Sequence, residues 1–153
     1  MKAIALTLLL MIGPSVYASL GGSVDSISAD SQILRAKSIR IVDRTVAHAA
    51  FTIHEISSGA TIVREYVNAS GIVFAIAWNG MSHPDLSALL GTYYADYQTE
   101  IRSQSHHVKG SRFGRITAAN HLVVERGGHM RNVRGRAYDL TLFPPGVTLQ
   151  DIQ

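Results

Sequence analysis

The stretch FTIHEISSGATIVREYVNASGIVFAIAWNG, from Phe51 to Gly80, decides the fold of this chain. It contains three segments rich in β-branched and aromatic residues, a composition typical of strands. The segments are Phe51 to Ser57, Thr61 to Val67 and Ile72 to Asn79. Short turn sequences separate them, and connections this short join antiparallel neighbours. The third segment is apolar on both faces, so we predict that it lies centrally in the sheet or is covered on both sides.

One main helix is predicted after this sheet, over about residues 83–104. Ser82 and Asp85 have the spacing of a capping box, and Pro84 fits the first turn, where its missing N–H is not needed. Apolar side chains then recur at steps of three and four: Leu86, Leu89, Leu90, Tyr93, Tyr97 and Ile101. This amphipathic pattern predicts a helix that packs across the sheet.

The segments on either side of this unit complete an α+β prediction. Asp25 to Ala36 is compatible with a short N-terminal helix, and Ser38 to Asp43 alternates in the manner of a strand. Ser103 to Gly114 is a polar stretch that predicts a loop. The predicted fold class is therefore α+β, with an antiparallel sheet built from β-meanders and the helix packed on it.

A hairpin is predicted in the second half of the chain. His121 to Arg126 and His129 to Val133 flank Gly127-Gly128, and a glycine pair reaches the positive φ values that two-residue turns need. We therefore expect the turn at the two glycines. A further strand is predicted between Arg136 and Leu142.

Residues 1–18 have the organisation of a secretory signal peptide. Lys2 is followed by an apolar run from Ala3 to Ile12, which Gly13-Pro14 ends. Small residues then predict cleavage between Ala18 and Ser19. A membrane anchor is the alternative, but about ten apolar residues are too few to cross roughly 30 Å of hydrocarbon. We expect a cleaved leader (1–18), a single α+β domain (19–153) without a transmembrane segment, and a periplasmic or secreted location.

The composition excludes several kinds of site and points to a basic region. The chain has no cysteine, which excludes disulfides, thiol catalysis, cysteine–zinc sites and a lipid-modified N-terminal cysteine. Residues 19–101 carry five basic and eight acidic side chains, whereas residues 102–153 carry eight basic and three acidic ones. This asymmetry fits either an anionic partner or a solvated basic face.

Four arginines around the predicted hairpin are candidate anion-binding residues: Arg126, Arg131, Arg134 and Arg136. A turn at Gly127-Gly128 would place Arg126 and Arg131 on one face of the hairpin and Arg134 on the other. Such a separation argues against nucleic acid as the partner. Another envelope protein or an anionic cell-surface polymer is the expected partner.

No short motif indicates a catalytic, metal or cofactor site. His54-Glu55 begins like a zinc-protease motif but lacks the second histidine four residues on. His106-His107 has no further ligand nearby in the sequence, and the predicted hairpin separates His121 from His129 by its whole length. We therefore assign no catalytic residues, no metal ligands and no cofactor.

Several blocks of the sequence resemble one protein family. The blocks are HEISSGATIVREYVNASGIVFAIAWNG (His54 to Gly80), PDLSALLGTYY (Pro84 to Tyr94), GGHMRNVRGRAY (Gly127 to Tyr138) and PPGVTLQDI (Pro144 to Ile152). Together with SLGG at Ser19 to Gly22, they make the chain similar to the proteobacterial domain-of-unknown-function family 2844. The resemblance implies an exported bacterial protein. It implies no activity and no site residues.

The expected function is that of an exported envelope protein that acts as a binding or assembly module rather than as an enzyme. This reading is favoured because the sequence carries no recognisable catalytic set. The alternative is a periplasmic hydrolase that acts on envelope material through a site assembled from distant parts of the chain. Polar residues at the ends of predicted elements are its candidates: His83, Asp85 and His129.

Overall fold

The computed structural model describes residues 20–46, 49–104, 114–119 and 121–153. The predicted signal peptide with its cleavage site at Ala18 and Ser19, the His106-His107 pair and most of the predicted loop lie outside these residues. No helix in the described ranges is long and apolar enough to cross a membrane.

Seven strands and three α-helices form the described structure. The helices are α1 (Ile27–Ile33), α2 (Leu86–Leu90) and α3 (Tyr94–Gln104). The strands are β1 (Ser38–Val46), β2 (Ala49–Ser57), β3 (Thr61–Asn68), β4 (Val73–Gly80), β5 (Gly114–Ala118), β6 (Leu122–His129) and β7 (Asn132–Asp139). The short N-terminal helix, the strand after it and the three central strands are confirmed.

All seven strands belong to one antiparallel sheet, in the order β1-β2-β3-β4-β7-β6-β5. The sheet consists of two meanders, β1 to β4 and β5 to β7, joined where β4 pairs with β7. The predicted α+β class is confirmed. Strand β4 occupies the middle position, and its residues from Val73 to Trp78 are all buried, as its two apolar faces predict.

Each face of the sheet has its own core. The helix face carries Ile56, Val63, Ile76 and Trp78, which pack with residues of α2 and α3 such as Leu90. The opposite face, which we call the tail face, carries Phe51, Tyr66, Phe74 and Tyr138. C-terminal residues 142–152 cover these aromatic rings with Leu142, Phe143, Val147, Leu149 and Ile152. The chain therefore buries apolar surface on both sides of the sheet.

The predicted main helix is present, but it starts later and is interrupted. Asp85, not Ser82, is the N-cap of α2, because its side chain accepts a hydrogen bond from the backbone N–H of Ser87. Gly91 then has φ 48° and ψ −120°, which ends α2 before a 3-10 turn leads into α3. Glycine tolerates this backbone conformation because it has no Cβ.

The predicted hairpin turn at Gly127-Gly128 is wrong. The turn lies at Met130-Arg131, where Arg131 has a φ of 61°, and the two glycines lie inside β6. The observed register pairs Val123 with Tyr138 and Val124 with Ala137, so that buried residues oppose buried residues. A turn at the glycines would have paired these valines with exposed residues near Asn132, so burial outweighs the local turn preference.

Strand β5 has no counterpart in the sequence prediction. It has only five residues, and its exposed and partly buried positions alternate from Gly114 to Thr117 before the buried Ala118. It forms an edge of the sheet and pairs only with β6 among the described strands. A strand this short gives a weak periodic signal in the sequence.

Candidate anion-binding site

A cleft of about 700 Å³ lies where β4, β5, β6 and β7 meet the C-terminal residues Ile152 and Gln153. Four of the residues that line it are arginines: Arg115, Arg126, Arg134 and Arg136. Glu125 is the acidic residue among the described lining residues. We call this feature the arginine cleft.

The register of the sheet brings most of these charges to one face. Arg136 on β7 is the cross-strand partner of Glu125 on β6. Glu125 is in turn the cross-strand partner of Arg115 on β5. Arg134 lies two residues from Arg136 on β7 and pairs with Gly127. Because paired residues and alternate residues of a strand share a face, all of these side chains emerge on the tail face. Gly127 has no side chain, which leaves room between the arginines.

Arg136 is a structural arginine held from two directions. Its Nε donates to Glu125 Oε2 at 2.6 Å. Its Nη1 donates to the backbone carbonyls of Leu149 at 2.7 Å and Ile152 at 3.4 Å. The guanidinium therefore ties the C-terminal segment to the sheet, and most of its donors are already used.

Positive charge exceeds negative charge on this side of the cleft. Glu125 accepts from Arg136 and also forms an ion pair with Arg115 at 3.3 Å, so one carboxylate serves two guanidinium groups. Arg134 is exposed and forms no ion pair within the described part of the chain. The guanidinium of Arg134 is therefore available to a ligand.

The side-chain amide of Asn79 completes the polar lining of the cleft beside Arg134. Asn79 pairs with Arg134 across β4 and β7, and its Oδ1 accepts from Arg64 Nη1 at 3.2 Å. This bond orients the Asn79 amide and leaves its nitrogen to donate. A planar guanidinium beside an amide donor suits the oxygens of a carboxylate or phosphate group, which Arg binds in a bidentate manner.

Two of the predicted anion-binding arginines lie elsewhere than expected. Arg126 lines the cleft, but its side chain emerges on the helix face, where its guanidinium lies 6.0 Å from the centre of the Tyr97 ring. Arg131 occupies the exposed hairpin turn. The prediction that Arg126 and Arg131 share a hairpin face is wrong, because the turn lies three residues further along than predicted. Arg115, which completes the cluster, was not among the candidates.

The three polar candidates for a hydrolytic site have local structural roles. His83 Nδ1 accepts from the indole Nε1 of Trp78 at 2.9 Å, and burial followed by the charge of Arg126 lowers its pKa. Asp85 caps α2, and its hydrogen bonds with Ser87 lower its pKa. His129 ends β6 beside the hairpin turn, opposite Asn132.

A histidine and a carboxylate do meet at a different position. His121 Nδ1 lies 3.2 Å from Asp139 Oδ2, although not in hydrogen-bond alignment. The same carboxylate oxygen accepts from the Tyr93 hydroxyl at 2.6 Å, and Oδ1 accepts from the backbone and side chain of Thr141. Burial and this bond to Asp139 raise the pKa of Tyr93 to about 12, so Tyr93 is a hydrogen-bond donor here. The Asp139 side chain is 2% exposed and that of His121 is 36% exposed.

Sequence reasoning missed this cluster because its members are far apart in the chain. Tyr93 comes from the turn between α2 and α3, His121 precedes β6 and Asp139 ends β7. Within the described residues, no group of three or more acidic or histidine side chains could hold a metal ion.

Comparison with known proteins yields one match. The sequence model of the family described as "Protein of unknown function (DUF2844)" matches residues 16–152. No curated protein and no solved structure matches the chain.

Proposed function

This chain belongs to the DUF2844 family, and we propose that it is an exported envelope protein that binds an anionic ligand in the arginine cleft without catalysing a reaction. The observation that carries the proposal is Arg134, a cross-strand neighbour of Asn79 with no carboxylate partner among the described residues. Beside Arg134, the ion pair between Arg136 Nε and Glu125 Oε2, 2.6 Å apart, fixes the side chains that form the adjoining wall of the cleft. A preorganised wall supports binding because little side-chain freedom is then lost on contact with a ligand.

The ligand class follows from the donors in the cleft. Guanidinium and amide groups recognise carboxylate and phosphate oxygens, and repeated acidic groups along a polymer would meet both Arg115 and Arg134. We therefore favour an anionic cell-surface polymer over a second envelope protein. Competition between a defined envelope protein and the polymer for the arginine cleft would instead indicate a protein partner.

Retention on a heparin matrix with a salt gradient tests the proposal. The Arg134→Gln variant should elute at lower salt than the wild type, because it loses the unpaired guanidinium. The Arg131→Gln variant is the matched control, since it removes the same charge three residues away at the exposed turn, outside the cleft. Equal elution of the two variants would show that only net charge matters, and no retention of the wild type at low salt would refute the proposal.

A hydrolase is the second candidate, and the contact between His121 and Asp139 is the observation that favours it. A small rotation of the partly exposed imidazole would align Nδ1 with the buried carboxylate of Asp139, which would then orient His121 as a general base for water. The test is the release of soluble fragments from purified envelope polymers. The His121→Gln variant should lose this activity while its circular dichroism spectrum stays unchanged. Activity that survives this substitution would exclude the site.

A further inference from the structure

Two carboxyl groups lie in the core with no donor to satisfy them. Asp30 of α1 and Glu65 of β3 are both 0% exposed. None of their four carboxyl oxygens has a hydrogen-bond partner among the described residues. Two carboxylates that are both ionised cannot be stable in such a place, because burial without donors strongly penalises each charge.

The two groups can satisfy each other only if a proton lies between them. A protonated carboxyl donates one hydrogen bond, and an ionised or neutral carboxyl accepts it. Burial raises the pKa of Asp30 to about 7, and burial together with the charge of Asp30 raises the pKa of Glu65 well above its usual value. The pair therefore retains at least one proton at neutral pH.

The elements packed around the pair supply no countercharge. Within α1, Asp30 is the only titratable residue, and α2 has none. On the strands beside Glu65, the opposing residues are His54 on β2 and Ile76 on β4. Burial lowers the pKa of His54, so this histidine is neutral at neutral pH.

The flanks of α1 do not reach the pair either. Asp25 precedes α1, and Arg35 and Lys37 follow it, and all three are exposed at the surface. Their charges are therefore screened by solvent rather than directed at the buried carboxyls.

We propose that Asp30 and Glu65 form a proton-binding site that latches α1 onto the helix face of the sheet, and that loss of the proton releases α1. Opening the pair would free α1 because Asp30 belongs to this short helix, whereas Glu65 lies on β3, which is hydrogen-bonded on both sides to β2 and β4. Ile27 of α1, which is 3% exposed, would leave the core when the latch opens. Release would uncover part of the apolar core on the helix face, to which Ile27 belongs.

The direction of the pH dependence follows from the raised pKa values. Between 3.8, the ordinary value for Asp, and about 7, the docked state binds more protons than the released state. Docking is therefore strongest at low pH and weakens as the pH rises through the pKa of the docked pair. This direction is opposite to that of an ion-paired carboxylate, whose contribution to stability is lost as the pH falls.

Hydrogen exchange of the full chain between pH 5 and pH 9, corrected for the intrinsic exchange rate, tests the latch. We expect the protection of α1 to fall at least about tenfold relative to that of β4, which corresponds to one pKa unit of differential proton binding. In the double variant Asp30→Asn/Glu65→Gln, the ratio of α1 protection to β4 protection should stay constant with pH, because the two amides form a hydrogen bond and do not titrate. Glu55→Gln is the matched control: it makes the same change on the other face of the sheet, where Glu55 pairs with Arg64, and it should keep the pH dependence of the wild type.

Two results would overturn the latch. One is a wild-type ratio of α1 to β4 protection that does not change with pH. The other is a double variant whose ratio falls with rising pH as that of the wild type does. If the double variant does not fold, infrared spectroscopy of the wild type at pH 7 decides the matter. The carbonyl band of a protonated carboxyl group must then be present, and its absence would refute the shared proton.

Discussion

Gly135 is the position where a single methyl group should disturb the molecule most. It lies on β7 opposite Trp78 of β4, and the indole packs directly on its Cα. A Cβ at this position would come within 2.2 Å of Trp78 Cζ2 and 2.6 Å of the carbonyl oxygen of Glu125. Trp78 is 2% exposed, so its ring is packed among other side chains of the core.

The size of the effect can be worked out from two contributions. The indole or the backbone must move by about 1 Å to restore ordinary contact, and overpacking of this kind typically costs 1–3 kcal/mol. A ring that moves this far also loses its 2.9 Å hydrogen bond to His83, and an orphaned buried donor costs about 1–3 kcal/mol. The Gly135→Ala variant should therefore lose about 2–6 kcal/mol of unfolding free energy.

The assay is urea unfolding followed by tryptophan fluorescence. Trp78 is the only tryptophan in the chain, so its emission reports both on global unfolding and on the displaced ring. Gly114→Ala is the matched control, because a Cβ there meets nothing within 4 Å. This control should be neutral or stabilise the protein by up to about 1 kcal/mol, since alanine has less conformational freedom than glycine in the unfolded chain.

The reasoning would be refuted by a Gly135→Ala protein whose stability and native emission match those of the Gly114→Ala protein. That result would mean that the close approach of the indole to β7 does not exist. A loss of stability with unchanged native emission would assign the strain to the backbone contact with Glu125 instead of the indole.

Three further predictions concern other parts of the chain. Gly128→Val should cost more than about 2 kcal/mol in urea unfolding, because Gly128 has a φ of 136° and its Cβ would lie 2.2 Å from the Asn132 carbonyl oxygen. Burial raises the pKa of Asp139, but hydrogen bonds from neighbouring hydroxyl and N–H groups lower it to a net value below 3.8. Its carboxylate therefore stabilises the fold above about pH 4, so Asp139→Asn should cost about 1–3 kcal/mol at pH 7, and this cost should shrink as the pH falls through the lowered pKa of Asp139. Ala18→Phe should block removal of the leader, and mass spectrometry of the exported wild type should find a mature N-terminus at Ser19.

The arginine cleft shows how far sequence reasoning reaches towards a site. The excess of arginine in the second half of the chain predicts Arg134 and Arg136 as anion-binding candidates. Their common face and their separation from Arg126 depend on the register of β6 and β7. That register is set by burial of Val123 and Val124, and turn composition alone indicated a different one.

Local pattern determined the class of this fold before any tertiary contact was considered. Strands β2 to β4 follow from alternating β-branched residues with short turns, and the helical region follows from apolar residues at steps of three and four. Both signals are local because they reflect the period of the backbone itself. Asp85 as the N-cap and the break at Gly91 depend on backbone dihedral angles that the period of the apolar residues does not specify.

Only the tertiary structure decided which distant side chains meet. The Asp30–Glu65 pair joins a helix to a strand 35 residues away, and the Tyr93–Asp139 bond spans 46 residues. No sequence period links such positions, because the contact exists only after the sheet has formed and α1 has packed on it. The cost of burying charge without a donor then makes Asp30 and Glu65 share a proton, a property that neither carboxyl has in its own stretch of sequence.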